Sequence, residues 1–145
     1  MRLPLYDWED LRMLGVPGRK KPQIVGTMPT LEDVVGPDAF YTTAPDASNS
    51  PDIEEGDRIL CDPSQPPKPG DYVAAVVDAY PHTILARYRV VKTKNGKPTA
   101  VDLVPNRADI YETFEVRKMS DLRILGTITH RTHRLRPVAD RPLKK

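Results

Sequence analysis

The sequence predicts a mainly β domain of antiparallel strands, preceded by a short N-terminal arm. Sixteen prolines among 145 residues disfavour long helices, because proline lacks a backbone donor and clashes with the preceding helical turn. Residues 83–92 alternate apolar and polar side chains, as a half-buried strand does. The following Lys94-Asn95-Gly96-Lys97 indicates a hairpin, since Asn-Gly readily adopts the positive φ angles of a two-residue turn.

Length, charge and cysteine content narrow the class of protein. A chain of 145 residues suits one domain with one core, and a formal net charge of +2 provides no strong field for a polyanion. The lone Cys61 cannot form an internal disulfide, and we expect it to pack in a strand. Early charges such as Arg2 and Asp7 argue against a signal peptide, and no stretch is apolar enough to span a membrane. We therefore expect a cytoplasmic protein with no membrane partner.

Three parts are expected along the chain. Residues 1–37 are predicted to form an N-terminal arm and linker, and residues 38–135 carry the periodic apolar pattern of the β domain. Residues 136–145 are predicted to be a basic C-terminal tail, and such runs are more often solvated than bound to phosphate. The sequence contains no helix-turn-helix pattern, so we expect no direct DNA reading by this chain.

The arm contains an extended stretch and two short helical patterns. Residues 3–8 are expected to be extended, and Asp7 is expected to cap a brief helix that ends at Gly15 and Pro17. A second short helix is expected over residues 30–35. On its own composition, the arm is a surface segment packed by a few apolar side chains.

Seven short strands are predicted in the β domain. The second half of the domain contains the clearest of them: a nearly continuous apolar run that indicates burial on both faces, and the alternating strand already described. In the alternating strand, Ile84, Ala86 and Tyr88 share one face, whereas Arg87 and Arg89 lie on the other. The last strand is expected to offer a sheet edge to a second copy of the chain. The predicted strands cover residues 39–44, 58–62, 71–78, 83–92, 100–104, 113–116 and 122–130.

Residues 46–57 form the stretch on which the function depends. The segment Asp46-Ala47-Ser48-Asn49-Ser50-Pro51 consists of residues that favour turns, and Glu55-Gly56-Asp57 predicts a tight turn before the next strand. A serine is therefore held on a rigid turn, where its hydroxyl can face a cleft. A capped surface turn without chemistry is the alternative interpretation of these residues alone.

The spacing Ser48-x-x-Pro51-x-Ile53-x-x-Gly56-Asp57 resembles the nucleophile segment of the LexA-type self-cleaving family. This family includes LexA, lambda-like phage repressors and UmuD, and it is related in fold to signal peptidases. The resemblance implies a LexA/signal peptidase-like β domain with Ser48 at the position of the nucleophile. Asn49 stands where the family usually has Met. Further segments resemble the family in the same order, at residues 69–73, 103–106 and 124–128.

The resemblance also implies a lysine on a strand as the general base, and this sequence lacks it. The equivalent position is Ala86, whose methyl group cannot accept a proton. Arg87 and Arg89 face the other side and stay charged at any relevant pH. His82 lies in a turn, where we expect it to be solvated. Three histidines and one cysteine give no zinc signature, so we expect no metal and no cofactor.

The arm resembles the cleavage-site region of phage repressors. Residues 3–8, Leu-Pro-Leu-Tyr-Asp-Trp, are similar to the Val-Pro-Leu-Ile-Ser-Trp stretch that precedes their scissile Ala-Gly. Counted from that stretch, the scissile pair is Leu11-Arg12; counted back from the serine, it is Leu14-Gly15. Neither is the family's pair of small residues, and a cleft shaped for small residues leaves little room for Leu or Arg. Efficient self-cleavage is not expected.

The resemblance implies the C-terminal dimerisation and regulatory domain of a phage or bacterial transcriptional repressor, unable to cleave itself because of Ala86. We expect a homodimer or higher homo-oligomer, DNA contact only through a helix-turn-helix domain absent from this sequence, and a RecA filament or an antirepressor as partner in an SOS-type response. Two alternatives stay open. One is an active Ser/Lys peptidase captured as a Lys-to-Ala variant, and the other is a UmuD-like subunit that binds a polymerase.

Overall fold

The computed structural model describes residues 2–18, 20–30 and 35–133. This part of the chain contains nine strands and two short 3₁₀ helices, so the mainly β prediction is confirmed. The 3₁₀ helices cover Trp8–Met13 and Met119–Asp121. The strands are β1 Arg2–Tyr6, β2 Ile24–Pro29, β3 Phe40–Thr43, β4 Arg58–Asp62, β5 Tyr72–Val77, β6 Ile84–Lys94, β7 Lys97–Val104, β8 Phe114–Val116 and β9 Leu122–Thr132.

The strands form one sheet in the order β2-β1-β3-β4-β9-β5-β6-β7-β8. Neighbours are antiparallel except β1 and β3, which meet in parallel at Leu5 and Tyr41. The expectation that the last strand is a sheet edge is wrong, because β9 lies between β4 and β5. With eleven residues, β9 is long enough to pair with both neighbouring strands. The half before Thr127 pairs with β5, and the half after it pairs with β4.

All seven predicted strands are present, with boundaries shifted by a few residues. β7 begins earlier than predicted, because the hairpin at Asn95 (φ 53°) and Gly96 (φ 75°) pairs Lys94 directly with Lys97. β2 was not predicted from the sequence. Its side chains are mostly exposed, so it lacks the apolar alternation by which a strand is recognised.

The arm is joined to the β domain through the sheet itself. β1 pairs with β2 and β3, and a 3₁₀ helix follows Asp7 as expected. The capping prediction is wrong, since the Asp7 side chain makes no cap hydrogen bond. The helix expected over residues 30–35 lies mostly outside the described residues, and the tail at 136–145 lies entirely outside them. The division of the chain at residue 37 stays a prediction.

β6 separates two clusters of buried side chains. Leu85 packs with Trp8 and Leu11 of the arm, whereas Ala86 packs with side chains of β5, β7 and β8 on the opposite face. This alternation places Ala86 on the apolar face, as predicted. Cys61 is buried, and burial raises the pKa of its thiol, so it packs rather than reacts. Of the helices in the described ranges, none has the length and apolar character to cross a membrane.

Candidate active site

Ser48 lies in the tightly bonded loop between β3 and β4. Its backbone N–H donates a hydrogen bond to Oδ1 of Asp46 at 2.9 Å, which is the turn that aspartate commonly forms with its own backbone. The loop continues with hydrogen bonds from Ser50 N to Ala47 O at 3.1 Å and from Ile53 N to Asn49 O at 3.0 Å. Ser48 exposes 7% of its surface. The turn predicted from the sequence is therefore rigid, and it holds the serine nearly covered.

Asn49 connects this loop to β6. Its side-chain amide donates to the Ser48 hydroxyl oxygen at 3.1 Å and to the Leu85 carbonyl at 2.8 Å. Its Oδ1 accepts a hydrogen bond from the Asn106 backbone N–H at 3.3 Å. Asn49 is 1% exposed, so these are the bonds on which a buried amide depends. The Ser48 hydroxyl oxygen thus accepts a hydrogen bond from an uncharged side-chain amide.

The loop after β7 holds the serine turn from the other side. Arg107 N–H donates to the Ser48 carbonyl at 2.8 Å, and the Asn106 side chain donates to the Asn49 carbonyl at 3.0 Å. Asn106 also lies 2.6 Å from the Tyr72 hydroxyl, which donates to Asp52 at 2.7 Å. Burial and the Asp52 carboxylate raise the pKa of Tyr72 to about 12, while hydrogen bonds from Tyr72 and Asn106 lower the pKa of Asp52.

A small cleft of about 100 Å³ brings the predicted nucleophile and the predicted base position together. Ser48 and Ala86 both line it, although they are far apart in the sequence. No lysine, arginine or histidine from the described part of the chain lines it. The other lining residues are Pro45, Asp46, Tyr80, Thr83, Ile84, Leu85, Pro105, Tyr111, Glu112 and Phe114.

The arm is bonded to the turn that leads into β6. The Trp8 indole N–H donates to the Thr83 carbonyl at 3.2 Å, and the Arg12 guanidinium donates to the Tyr80 carbonyl at 3.0 Å. From β9, Arg123 donates to the carbonyls of Arg12, at 2.7 Å, and of Leu14. Trp8 is 4% exposed, so the arm is docked and not free in solvent.

The docked arm does not enter the cleft. Leu11 is completely buried among core side chains, and its carbonyl accepts a hydrogen bond from Leu14 N–H at 3.1 Å. Leu14 and Gly15 line a different cavity of about 710 Å³, between the arm and the sheet. The structure therefore keeps both candidate scissile pairs, Leu11-Arg12 and Leu14-Gly15, out of the cleft that contains Ser48.

The model of the Peptidase S24-like family matches residues 5–129. The chain belongs to this family. The match begins within the arm and includes the serine loop and all of β6, so it covers the residues that line the Ser48 cleft. It confirms the resemblance to LexA and UmuD and agrees with the mainly β fold. No curated protein matches the chain significantly.

The three histidines of this S24-like domain all lie within the described residues, and none of them lines the Ser48 cleft. The His82 side chain is 60% exposed, stands 3.5 Å from Glu9 and lies outside the cleft, as expected of a solvated turn residue. His133 Nδ1 lies 2.9 Å from the buried carboxylate of Asp57. Among the described residues, no group of histidine, cysteine or carboxylate side chains could hold a metal ion.

The chemistry of the S24-like site follows from these contacts. A serine hydroxyl needs a positioned base before it can attack a carbonyl, and Ala86, which lines the same cleft as Ser48, offers only a methyl group. An oxyanion needs free donors, but the Ser48 N–H already donates to the Asp46 carboxylate. The cleft therefore presents a serine whose own amide is occupied, with no amine or imidazole from the described residues beside it. The roles of Ser48 and Ala86 in catalysis stay predictions.

Several cleft residues were not singled out from the sequence. Asn49 was noted only as a departure from the family motif, and Thr83, Tyr111 and Glu112 were not assigned to the site at all. Asn49 had a local indication, since an amide next to a serine can bond its hydroxyl. Tyr111 and Glu112 had none, because only the return of the loop between β7 and β8 brings them to Ser48.

Proposed function

We propose that this S24-like domain is the dimerisation and regulatory domain of a phage or bacterial transcriptional repressor, and that it does not cleave itself. The observation that carries the proposal is the Ser48 cleft, to which the described residues contribute no amine or imidazole. The function left to such a domain is to associate with a second copy and hold attached DNA-binding heads at two half-sites.

Two further contacts support the loss of cleavage. The Ser48 N–H is committed to Asp46, so a tetrahedral oxyanion would compete with a carboxylate for that donor. Arg123 holds the carbonyls of Arg12 and Leu14, which keeps the candidate scissile segment on the body of the domain and outside the cleft. Either contact slows cleavage by itself, and the absent base adds to both.

Association through the end of β9 is supported by its exposure. Residues 129–132 are exposed, and β4 is the strand that pairs with this end among the described residues. A second copy of the chain can pack against this exposed surface.

The test combines mass spectrometry with sedimentation. The unmodified chain, and Ser48→Ala as control, are incubated at neutral and alkaline pH, and both should keep their full mass. Sedimentation at tens of micromolar should show a dimer or larger species, as a modest interface allows. Serine-dependent cleavage of the unmodified chain would overturn the inactive assignment, and a purely monomeric chain would overturn the dimerisation role.

One observation favours the alternative of an active peptidase. The carboxylates of Asp46 and Glu112 line the same cleft as Ser48, and a carboxylate is a proton acceptor, though a weak one for a serine. The same incubation separates the two functions, because a carboxylate base would give cleavage that disappears in Glu112→Gln as well as in Ser48→Ala.

A further inference from the structure

The Ser48 cleft is electronegative. Two of its lining residues, Asp46 and Glu112, carry carboxylates, and no cationic side chain from the described residues lines it. The nearby Arg107 guanidinium is paired with Asp109 at 3.2 Å, and the Arg12 guanidinium donates to the backbone carbonyl of Tyr80 at 3.0 Å. Within the described ranges Glu112 has no hydrogen bond or ion pair, and it is exposed at the rim. Such a site favours a positively charged group over an anion.

A buried hydroxyl in the wall of the cleft lacks a partner. Thr83 lines the cleft and is 5% exposed. Its Oγ1 is the buried side-chain oxygen or nitrogen that makes no hydrogen bond anywhere in the described residues. Leaving such a group unsatisfied costs free energy, and a ligand with a polar hydrogen removes that cost. This hydroxyl is evidence for a polar ligand that is independent of the two carboxylates.

The apolar side chains that line the cleft restrict the size and shape of that ligand. Tyr80 and Phe114 form a pair of rings with centroids 4.6 Å apart, and Ala86 contributes a methyl group. Aromatic faces attract cations and also cover an alkyl stem. A volume of about 100 Å³ accepts an unbranched chain of a few carbons and excludes a helix or a nucleobase.

We propose that the cleft beside Ser48 binds a primary alkylammonium group, as carried by a lysine side chain of a partner polypeptide. The ammonium lies between the Thr83 hydroxyl and the carboxylates of Asp46 and Glu112, and the alkyl stem lies along Tyr80 and Phe114. A free alkylamine shares this chemistry. This binding goes beyond the proposed function, because it requires neither cleavage nor dimerisation.

The test is a titration of the full chain followed by amide NMR shifts of Thr83, Ala86 and Glu112. One arm uses n-butylammonium chloride, a second uses an acetylated Gly-Lys-Gly amide, and the controls are butyrate and the same peptide with norleucine. We expect both amines to bind at these residues with dissociation constants on the order of millimolar. If the lysine peptide binds more tightly than butylammonium, the cleft prefers an amine carried by a polypeptide. If the two bind equally, the alkylammonium group alone accounts for the binding. Equal shifts with butyrate or norleucine, or none with either amine, would overturn the proposal.

Variants test the two polar contacts separately. Thr83→Val should weaken amine binding roughly tenfold, since it removes a hydrogen bond to a charged group. Glu112→Gln should weaken binding roughly threefold, because an exposed ion pair contributes less. Thr99→Val and Glu115→Gln make the same side-chain changes at exposed positions outside the cleft and should leave binding unchanged.

Ala86→Lys supplies a check that does not depend on the stability of the Thr83 variant. Its own amine should fill the cleft, so that butylammonium binding is lost. Undiminished binding of butylammonium by folded Ala86→Lys would place the amine elsewhere and would sink the proposal.

Discussion

The side-chain amide of Asn49 donates a hydrogen bond to the hydroxyl oxygen of Ser48 at 3.1 Å. The same amide nitrogen donates to the Leu85 carbonyl at 2.8 Å, so the residue after the serine connects the loop to the strand that carries Ala86. The usual methionine at this position in the family has no N–H to donate. The nucleophile position in this chain is therefore part of a structural hydrogen-bond network.

We expect Asn49→Ala to destabilise the domain by about 1–3 kcal/mol. The buried Leu85 carbonyl oxygen and the partly buried Asn106 backbone N–H would each lose a hydrogen-bond partner. Chemical denaturation followed by circular dichroism measures this change. Gln65→Ala is the matched control, since Gln65 is exposed and its side chain makes no hydrogen bond in the described structure. An Asn49→Ala protein as stable as the control would show that the network contributes nothing.

Installing the missing base should restore chemistry to the cleft. In Ala86→Lys the amine would stand on the apolar face of β6, where burial disfavours its charged form, whereas the carboxylates of Asp46 and Glu112 favour it, so alkaline pH is needed to yield the neutral base. We expect serine-dependent cleavage of an added Ala-Gly peptide, increasing from neutral to alkaline pH. The domain's own arm should be cut more slowly, because it is held outside the cleft.

The readout for Ala86→Lys is mass spectrometry of peptide and protein, with Ala86→Lys/Ser48→Ala as control. Cleavage that persists in the double variant would exclude Ser48 as the nucleophile. If Ala86→Lys folds but does not cleave the peptide, the lack of a base is not the sole cause of inactivity. The hydrogen bond from the Ser48 N–H to Asp46, which occupies a donor that an oxyanion would need, would then be a further cause.

Arg123 should determine how firmly the arm is docked. Arg123→Ala removes two hydrogen bonds from a charged group to the carbonyls of Arg12 and Leu14, so tryptic cleavage after Arg12 should accelerate about tenfold or more. Arg123→Lys should restore part of the protection, since it keeps the charge but not the two-pronged geometry.

The control for the arm is Arg87→Ala, an exposed substitution on β6 at a residue that takes no part in the hydrogen bonds of the arm described above. Limited trypsin digestion followed by mass spectrometry compares the three variants with the unmodified chain. Unchanged digestion of Arg123→Ala would mean that Trp8 and Leu11, which are buried in the core, hold the arm without help.

Stability should fall at high pH because of Tyr72. Folding raises the Tyr72 pKa from 10.0 to about 12, so the folded protein holds the phenolic proton more tightly than the unfolded chain does. The contribution is fully present below pH 10 and is lost as the pH rises toward about 12. Urea unfolding between pH 8 and 12 should show a shallower decline in Tyr72→Phe than in the unmodified chain.

Tyr88 provides the comparison for this pH effect. Burial raises its pKa too, so Tyr88→Phe should also flatten the profile, but without disturbing the Asp52 and Asn106 contacts. Identical profiles for Tyr72→Phe and the unmodified chain would show that the Tyr72 network does not contribute to folding stability.

The amino-acid sequence by itself determined the local elements. Alternation over residues 83–92, the Asn95-Gly96 hairpin and the turn at Gly56 are encoded by neighbouring residues, because strand faces and positive φ angles depend on local chemistry. The same local order carried the resemblance to LexA and UmuD, and it placed Ala86 on the apolar face of its strand. These features needed no knowledge of distant contacts.

Only the tertiary structure decided the surroundings of Ser48. The bond from Asn49 to the Leu85 carbonyl, the position of Glu112 at the cleft rim and the bond from Arg123 to the arm join segments far apart in the chain, which no local pattern encodes. β2, with its exposed side chains, is a strand because β1 offers it a partner. β9 is interior for the same reason: pairing depends on which backbones meet in the folded sheet.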